Sequence, residues 1–331
     1  MLRYVVRRLI GAVVMLVLVT AVVFAIFNVL PTADPATLRA GKNATPDDIE
    51  RIRESYGFDD PLYERFGRYV AGVFTPYQNE EVNIDGPLDL GTSIFQNNEP
   101  VLEIILDRLP ATIFLVTGAV VLWILIAVPV GVVSAVKRRS LLDRTTMITS
   151  LAFISAPVFW LGLVGLYLFA QGVGVIPIFP TSGSYNTAGG FLDKAWTLVL
   201  PWIVLALATA AIYARYLRSQ MLEVMEEDYI RTARAKGLSE RRVIVHHGLR
   251  SAITPIVTLL GIDVGILLAG NAILTEQVFN IPGVGREVVT AIGQSDYALI
   301  QGIVLFGTFF IVIFNLVVDI LYAYLDPRVR Y

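Results

Sequence analysis

Residues 228–239 read Asp-Tyr-Ile-Arg-Thr-Ala-Arg-Ala-Lys-Gly-Leu-Ser and lie in the one long charged segment between two apolar stretches. Apolar side chains recur here at spacings of three and four residues, which predicts one face of a helix: Leu222, Met225, Tyr229 and Ala233. Glu227 stands four residues before Arg231, the favourable order for an ion pair on a helix. Gly237 fits a C-terminal cap, and Ser239 can cap a following helix. The stretch therefore predicts a helix, a glycine elbow and a second helix.

The composition around this stretch is that of a membrane protein. The chain has 331 residues, of which 55% are hydrophobic and only 16% charged, with a mean hydropathy of +0.66. These values are far too apolar for a soluble globular protein of this length. The absence of cysteine excludes disulfides, thiolate metal sites and a cysteine nucleophile. We predict an all-α integral membrane protein.

Six stretches are long and apolar enough to cross a hydrocarbon core, which takes roughly 20 helical residues. They are 9–31, 111–136, 145–171, 195–214, 252–274 and 299–325. The first has no charge and no small-residue cleavage pattern after it, so it is expected to be retained as a span. The chain is thus divided into an N-terminus with the first span at 1–31, a segment at 32–110, and a core at 111–331.

Charge segregation predicts which connections face the cytoplasm. The N-terminus has three arginines and no acid, residues 137–144 have four bases against one acid, and 215–251 have eight bases against five acids. By the positive-inside rule these segments and the C-terminal tail are cytoplasmic. Residues 32–110, with seven bases and fifteen acids, are expected outside, together with 172–194 and 275–298. Both termini are therefore predicted to be inside.

The segment 32–110 contains two predicted helices. Thr45-Pro46-Asp47-Asp48 is typical of a capped helix start, and Gly57 ends that helix. A second apolar face runs through Leu62, Phe66, Tyr69, Val70 and Phe74. The segment could be a surface cap or a docking surface, and its part from Tyr77 to Pro87 has no assigned role.

The whole chain resembles permeases of ABC importers in the dipeptide, oligopeptide and nickel branch. Residues 228–239 are similar to the coupling loop of that family, although Arg231 stands where many permeases have glutamate and Arg250 where they have proline. Further matches run through the chain in order: Tyr56-Gly57-Phe58-Asp59-Asp60-Pro61-Leu62, Arg108-Leu109-Pro110-Ala111-Thr112, Ser155-Ala156-Pro157-Val158-Phe159-Trp160, Val278-Phe279-Asn280-Ile281-Pro282-Gly283 and Leu325-Asp326-Pro327-Arg328. They most resemble the first, B-type, of the two permease subunits.

The resemblance implies six spans with both termini inside and a cytoplasmic coupling helix between the fourth and fifth spans, within the loop 215–251. It implies that this loop docks onto an ATPase through Asp228, Tyr229, Arg231, Ala233, Arg234, Ala235, Lys236, Gly237, Leu238 and Ser239. The implied partners are a homologous second permease, two cytoplasmic ATPase subunits and an extracytoplasmic solute-binding protein, in the inner membrane of a prokaryote. Peptides or related solutes would be the cargo, and no nucleic-acid partner is expected.

The residues themselves predict a transport subunit without its own enzymatic site. No glycine-rich phosphate loop with lysine occurs in the sequence, so ATP and Mg²⁺ are expected on the partner ATPases and no cofactor on this chain. His246 and His247 are adjacent and would point about 100° apart on a helix, which argues against a shared metal. Serines such as Ser155 have no histidine partner within a span, which disfavours an intramembrane hydrolase.

Two carboxylates fall within predicted spans, at Asp263 and Asp319. Because an intramembrane charge is costly, each is a candidate for the transport pathway or for contacts between subunits, but two isolated acids favour a purely structural role. An ion-coupled secondary transporter is the alternative reading. It predicts paired ionisable groups within the spans and often an internal repeat, and the sequence has neither feature.

Overall fold

The computed structural model describes residues 2–28, 36–37, 45–55, 57–74, 90–93, 95–96 and 99–325. Within them the regular structure is helical apart from one short antiparallel pair, β1 (Thr92–Ser93) with β2 (Glu99–Pro100), and an isolated bridge between Ala170 and Phe179. The helices are α1 Leu2–Asn28, α2 Pro46–Ser55, α3 Leu62–Phe74, α4 Val101–Val136, α5 Leu141–Ser155, α6 Val158–Phe169, α7 Phe191–Val224, α8 Asp228–Ala235, α9 Glu240–Ala252, α10 Thr254–Ile266, α11 Ile273–Phe279, α12 Val284–Gln294 and α13 Tyr297–Leu325.

The long helices α4 and α7 form the central pair of the fold. Gly131 of α4 permits the close approach, because a Cβ there would lie 2.9 Å from the carbonyl oxygen of Ala214 and 3.0 Å from the Cβ of Leu217. Further along, the fully buried Trp123 packs against Tyr213 with ring centroids 5.2 Å apart. This pair supports α7, and the charged stretch 228–239 follows the C-terminal end of that helix.

The number of membrane spans depends on two bent helix pairs. Four helices are each long and apolar enough to span a membrane, namely α1, α4, α7 and α13, and six spans result when each bent pair counts as one. The predicted span 145–171 is not one continuous helix. Helices α5 and α6 meet at 103°, because Pro157 disfavours helical geometry at Ala156, whose ψ is 127°. The second bend, of 48° between α9 and α10, lies at Ile253 and therefore at the start of the predicted span 252–274.

The chain after α6 folds back on the end of that helix. The backbone N–H groups of Val175, Ile176 and Ile178 donate to the carbonyl oxygens of Tyr167, Leu168 and Phe169, at 3.2, 2.8 and 3.0 Å. The side chains of Val173, Val175 and Ile176 remain exposed. The short helix α6 is therefore followed by an apolar loop whose N–H groups are bonded to the carbonyl oxygens at the end of the helix.

Helices α2 and α3 confirm both predicted helices of the segment 32–110. Thr45 and Asp48 cap α2 reciprocally, since the Thr45 hydroxyl donates to the Asp48 carboxylate at 2.6 Å and the Asp48 N–H donates to that hydroxyl. Gly57, with a φ of +59°, follows α2. Helix α3 packs on α1 through Phe24, which contacts Phe66 and Tyr69. The segment from Tyr77 to Pro87 and the basic C-terminal tail lie outside the described residues.

Two glycines of α10 allow this helix to pack closely against α13. A Cβ on Gly261 would collide with Val318, and one on Gly265 would lie 2.9 Å from the Cβ of Phe314. The backbones of two helices can approach closely only where side chains are small. The glycine face that the sequence contains thus packs the fifth apolar stretch against the last helix.

Candidate functional site

The charged stretch forms a short helix of its own. Helix α7 ends at Val224 and α8 begins at Asp228, so the continuous helix predicted from Leu222 to Ala233 is wrong. Glu227 has an extended backbone with φ −68° and ψ 150°, and it precedes α8 as its N-cap residue. Acidic residues in this position interact favourably with the positive end of the helix dipole. The chain therefore breaks at Glu226-Glu227 and restarts with a new orientation.

The restart changes which residues are buried. Ile230 and Ala233 of α8 form a small core with Val243 of α9, and Met225 and Leu238 cover it. Tyr229, which was predicted on the apolar face, is 44% exposed. The periodicity through Leu222 and Met225 pointed to Tyr229 only because it assumed one unbroken helix. Ile230 is the residue that anchors α8.

The glycine elbow is present as predicted. Gly237 follows α8 with a φ of +76°, a left-handed conformation that favours glycine, and Leu238 donates its N–H to the carbonyl oxygen of Ala233. Ser239 occupies the N-cap position of α9, but its side chain makes no capping hydrogen bond. Arg234 closes the elbow instead, through hydrogen bonds of 2.7 and 3.2 Å to the two carboxylate oxygens of Glu240. This ion pair raises the pKa of Arg234.

The ion pair predicted between Glu227 and Arg231 is replaced by a neighbouring one. Arg231 lies 3.3 Å from the Asp228 carboxylate, and both side chains are exposed. The pairing changes because α8 begins at Asp228. Glu227 therefore occupies the N-cap position and is not on the side of the helix, where it could face Arg231. An exposed pair of this kind contributes about 0.2–1 kcal/mol at most.

Most of the ten predicted docking residues share one exposed ridge, which we name the elbow ridge. Ala233 is buried and Leu238 half-buried, and both hold the ridge in place. The others are exposed: Asp228, Tyr229, Arg231, Arg234, Ala235, Lys236, Gly237 and Ser239. The ridge combines a rigid turn, a small side chain at Ala235 and basic groups. Its chemistry suits docking against another protein surface rather than catalysis.

Asp143 and Arg218 form a pair that the sequence analysis did not single out. Arg218 of α7 donates from Nε and Nη2 to the two oxygens of Asp143, at 2.7 and 2.8 Å. Asp143 is the one acid in the basic connection 137–144, and that isolation was a signal that charge counting passed over. The pair joins the connection between α4 and α5 to the helix that leads into the elbow ridge.

Glu276 of α11 is a second group that sequence reasoning missed. Its fully buried carboxylate accepts hydrogen bonds from the Thr112 hydroxyl at 2.7 Å and from the Arg286 N–H at 2.8 Å. Thr112 in turn accepts the N–H of Val284 at 2.9 Å. Burial raises the pKa of the Glu276 carboxyl, whereas these hydrogen bonds and one from the Gly285 backbone act in the opposite direction. The carboxylate fixes the start of α12 against α4.

The other sequence candidates behave differently. Asp263 accepts a hydrogen bond of 2.6 Å from the Tyr213 hydroxyl of α7, and the side chain of Asp319 lies outside the described residues. His246 and His247 stack edge to face, with ring centroids 5.2 Å apart. Among the residues that the structure describes, no group of three or more His, Cys, Asp or Glu side chains is placed to hold a metal ion.

Comparison with known proteins identifies the family. Residues 127–331 match the family model described as "Binding-protein-dependent transport system inner membrane component", and residues 1–128 match its N-terminal counterpart, "Binding-prot-dependent transport system membrane comp, N-term". The two matches together run the full length of the chain.

Full-length relatives carry consistent names. The chain is 39% identical to the dipeptide transport system permease protein DppB of Alkalihalophilus pseudofirmus, 36% to the oligopeptide transport system permease protein AppB of Bacillus subtilis, and 37% to the glutathione transport system permease protein GsiC of Escherichia coli. Each alignment covers 100% of both chains. These relatives give no support to an ion-coupled transporter. The chain belongs to the family of inner-membrane permease components of binding-protein-dependent transport systems.

Proposed function

We propose that this chain is the first of two permease subunits in an ATP-driven importer of peptides or related small solutes, located in the inner membrane of a prokaryote. Family membership supports the transport role, and the names of the dipeptide, oligopeptide and glutathione relatives support the solute class. The chain supplies half of the translocation pathway, and a homologous permease supplies the other half.

The observation that carries the proposal is the elbow ridge at the end of α7. Its outer residues are exposed, whereas Ile230, Ala233 and Val243 bury its inner side. An exposed surface that is packed against a buried core is suited to transmit a movement of a partner protein to the helices behind it. We assign the ridge to the two cytoplasmic ATPase subunits, with one ridge from each permease engaging one ATPase.

Energy and substrate enter through partner proteins in this proposal. ATP and Mg²⁺ bind to the ATPase subunits, since the sequence has no glycine-rich phosphate loop. A solute-binding protein delivers the cargo on the extracytoplasmic side, and the words "binding-protein-dependent" in the family description support such a partner. The permease subunit performs no chemical step of its own.

Two substitutions on the elbow ridge test the assignment. Ala235→Glu leaves the backbone unchanged and adds charge and volume to the exposed ridge, and Gly237→Val places a β-branched residue at a φ of +76°. Both variants are expected to reach the membrane at normal levels, because insertion depends on the apolar spans. Both are expected to lose solute uptake and co-purification with the ATPases.

Gly189→Val is the matched control. Gly189 is exposed, has open space around its Cβ position and does not have a positive φ. This variant is expected to retain its ATPases fully. The parent chain purified without partners is expected to hydrolyse no ATP. If Ala235→Glu and Gly237→Val keep uptake and ATPase subunits at the level of Gly189→Val, the ridge is only a connector and the assignment is wrong.

A further inference from the structure

The buried carboxylate of Asp143 is hydrogen-bonded to three parts of the chain: α4, the connection between α4 and α5, and α7. Its side chain is 5% exposed, and its carboxylate accepts four hydrogen bonds. The Ser134 hydroxyl of α4 donates at 2.5 Å, the Arg139 backbone N–H of the connection at 2.9 Å, and Arg218 of α7 donates twice. A carboxylate with this many charge-assisted bonds has little freedom to move relative to any of its partners.

The arginine end of this pair is connected to the elbow ridge through the last turns of α7. Arg218 is one turn before Met221, which is fully buried, and Met225 follows at the end of α7. Met225 covers the small core of α8, and a Cβ on Gly248 of α9 would lie 2.9 Å from its sulfur. The contacts therefore run without interruption from the ridge through the end of α7 to Arg218.

The carboxylate end fixes the turn between α4 and α5. Arg139 has a φ of +65°, an uncommon conformation for a residue with a side chain, and its N–H is bonded to Asp143. The Ser140 hydroxyl accepts the N–H of Asp143 at 3.2 Å and so caps α5. Asp143 thus holds the start of α5, the turn and α4 as one unit.

We propose that the ion pair between Asp143 and Arg218 is a rigid link that transmits movement of the elbow ridge to α4 and α5. Both residues are positioning residues, because neither lies on the ridge and their side chains are paired with each other. The proposal rests on the proposed function of the ridge. When the ATPases displace the ridge and the end of α7, the paired groups carry α5 and the adjoining end of α4 with them.

The geometry of the pair between Asp143 and Arg218 suits this role better than that of the nearby pair between Arg138 and Glu226. The two N–H groups of Arg218 engage both oxygens of Asp143, and such a bidentate contact fixes orientation as well as distance. Arg138 and Glu226 also join the connection 137–144 to the α7–α8 junction, but at 3.5 Å and with both side chains largely exposed. An exposed single contact is screened and weak, so it transmits little force.

The test separates coupling from folding. The variants Asp143→Asn and Arg218→Gln are assembled with the ATPases and the binding protein in proteoliposomes, and ATP hydrolysis and solute uptake are measured per assembled complex. The elbow ridge is unchanged, so both variants are expected to retain the ATPases and to hydrolyse ATP. Uptake per ATP is expected to fall about tenfold, within the usual range of coupling between sites.

Further variants complete the design. Arg218→Lys keeps the positive charge but loses the two-donor guanidinium contact with both oxygens of Asp143. The uptake per ATP of this variant is therefore expected to lie between the values of the parent and of Arg218→Gln. Arg138→Gln and Glu226→Gln are the matched controls and are expected to behave as the parent does. If uptake and ATP hydrolysis fall together, or neither changes, the link is only structural and the proposal is overturned. If the parent complex retains no ATPase, the proposed function fails with it, and this outcome is visible before any variant is compared.

Discussion

Glu276 and Thr112 form a bonded pair on which two helices depend. Thr112 uses its hydroxyl twice, as a donor to Glu276 and as an acceptor for the N–H of Val284. Gly283 has no side chain where the carboxylate lies, since a Cβ there would collide with it. The start of α12 is therefore held by α4 and α11 through one buried polar cluster rather than by apolar packing alone.

We predict that Thr112→Val destabilises the protein by about 1–3 kcal/mol, the usual cost of leaving a buried partner unsatisfied. The substitution preserves shape but removes both hydrogen bonds of the hydroxyl. Thermal unfolding of the detergent-solubilised protein gives the change in Tm. Thr308→Val is the control, because the Thr308 hydroxyl is exposed and bonds only to Val304 of its own helix. Equal Tm values for the two variants would contradict the role given to this cluster.

The sequence predicts residues whose role is local and misses residues whose partners are distant. Gly237 was predicted as a helix cap because a left-handed cap favours glycine whatever surrounds it. Arg218, which pairs with Asp143, and Thr112, which bonds to Glu276, lie 75 and 164 residues away along the chain, and no spacing rule connects them. Tyr229 was misplaced for a related reason, since the phase of α8 depends on where α7 stops.

At the level of helices, apolar length marked stretches long enough to span a membrane but did not predict their shape. The stretch 145–171 is long enough to cross the membrane once, yet α5 and α6 meet at 103°. A proline inside an apolar stretch is compatible with a mild kink or with a complete break, depending on whether neighbouring helices can bond the freed backbone groups. At Ala156-Pro157 one helix ends and a new one begins. The surrounding packing decides between a kink and a break, and the sequence alone does not predict it.

The glycine face of α10 gives a prediction for helix packing. Gly261→Val is expected to lower the yield of folded protein, because the added side chain collides with Val318 and forces α10 away from α13. Monodispersity on size-exclusion chromatography measures the effect. Gly11→Val in α1 is the matched control, since a Cβ on Gly11 meets no atom within 4 Å. A normal elution profile for Gly261→Val would show that the two helices can separate without loss of the fold.

For the whole molecule, charge segregation gives a topology that labelling can test. Single cysteines are introduced at Glu240 and at Thr187, both exposed, in a chain without native cysteine. In intact cells an impermeant maleimide is expected to label Glu240→Cys only after permeabilisation and Thr187→Cys without it, because bases cluster at 215–251. External labelling of Glu240→Cys would place the elbow ridge on the wrong side for cytoplasmic ATPases and overturn the topology.

The bend at Pro157 also bears on the surrounding lipid. Helix α6 has 12 residues and is about 18 Å long at 1.5 Å per residue, whereas a typical hydrocarbon core is about 30 Å thick. The loop that extends α6 has bonded N–H groups and exposed valine and isoleucine side chains, so hydrocarbon can surround it. We therefore expect a hydrophobic mismatch on this flank, where adjacent acyl chains shorten or tilt to match α6. We therefore expect the thickness of the host membrane to affect transport by this protein.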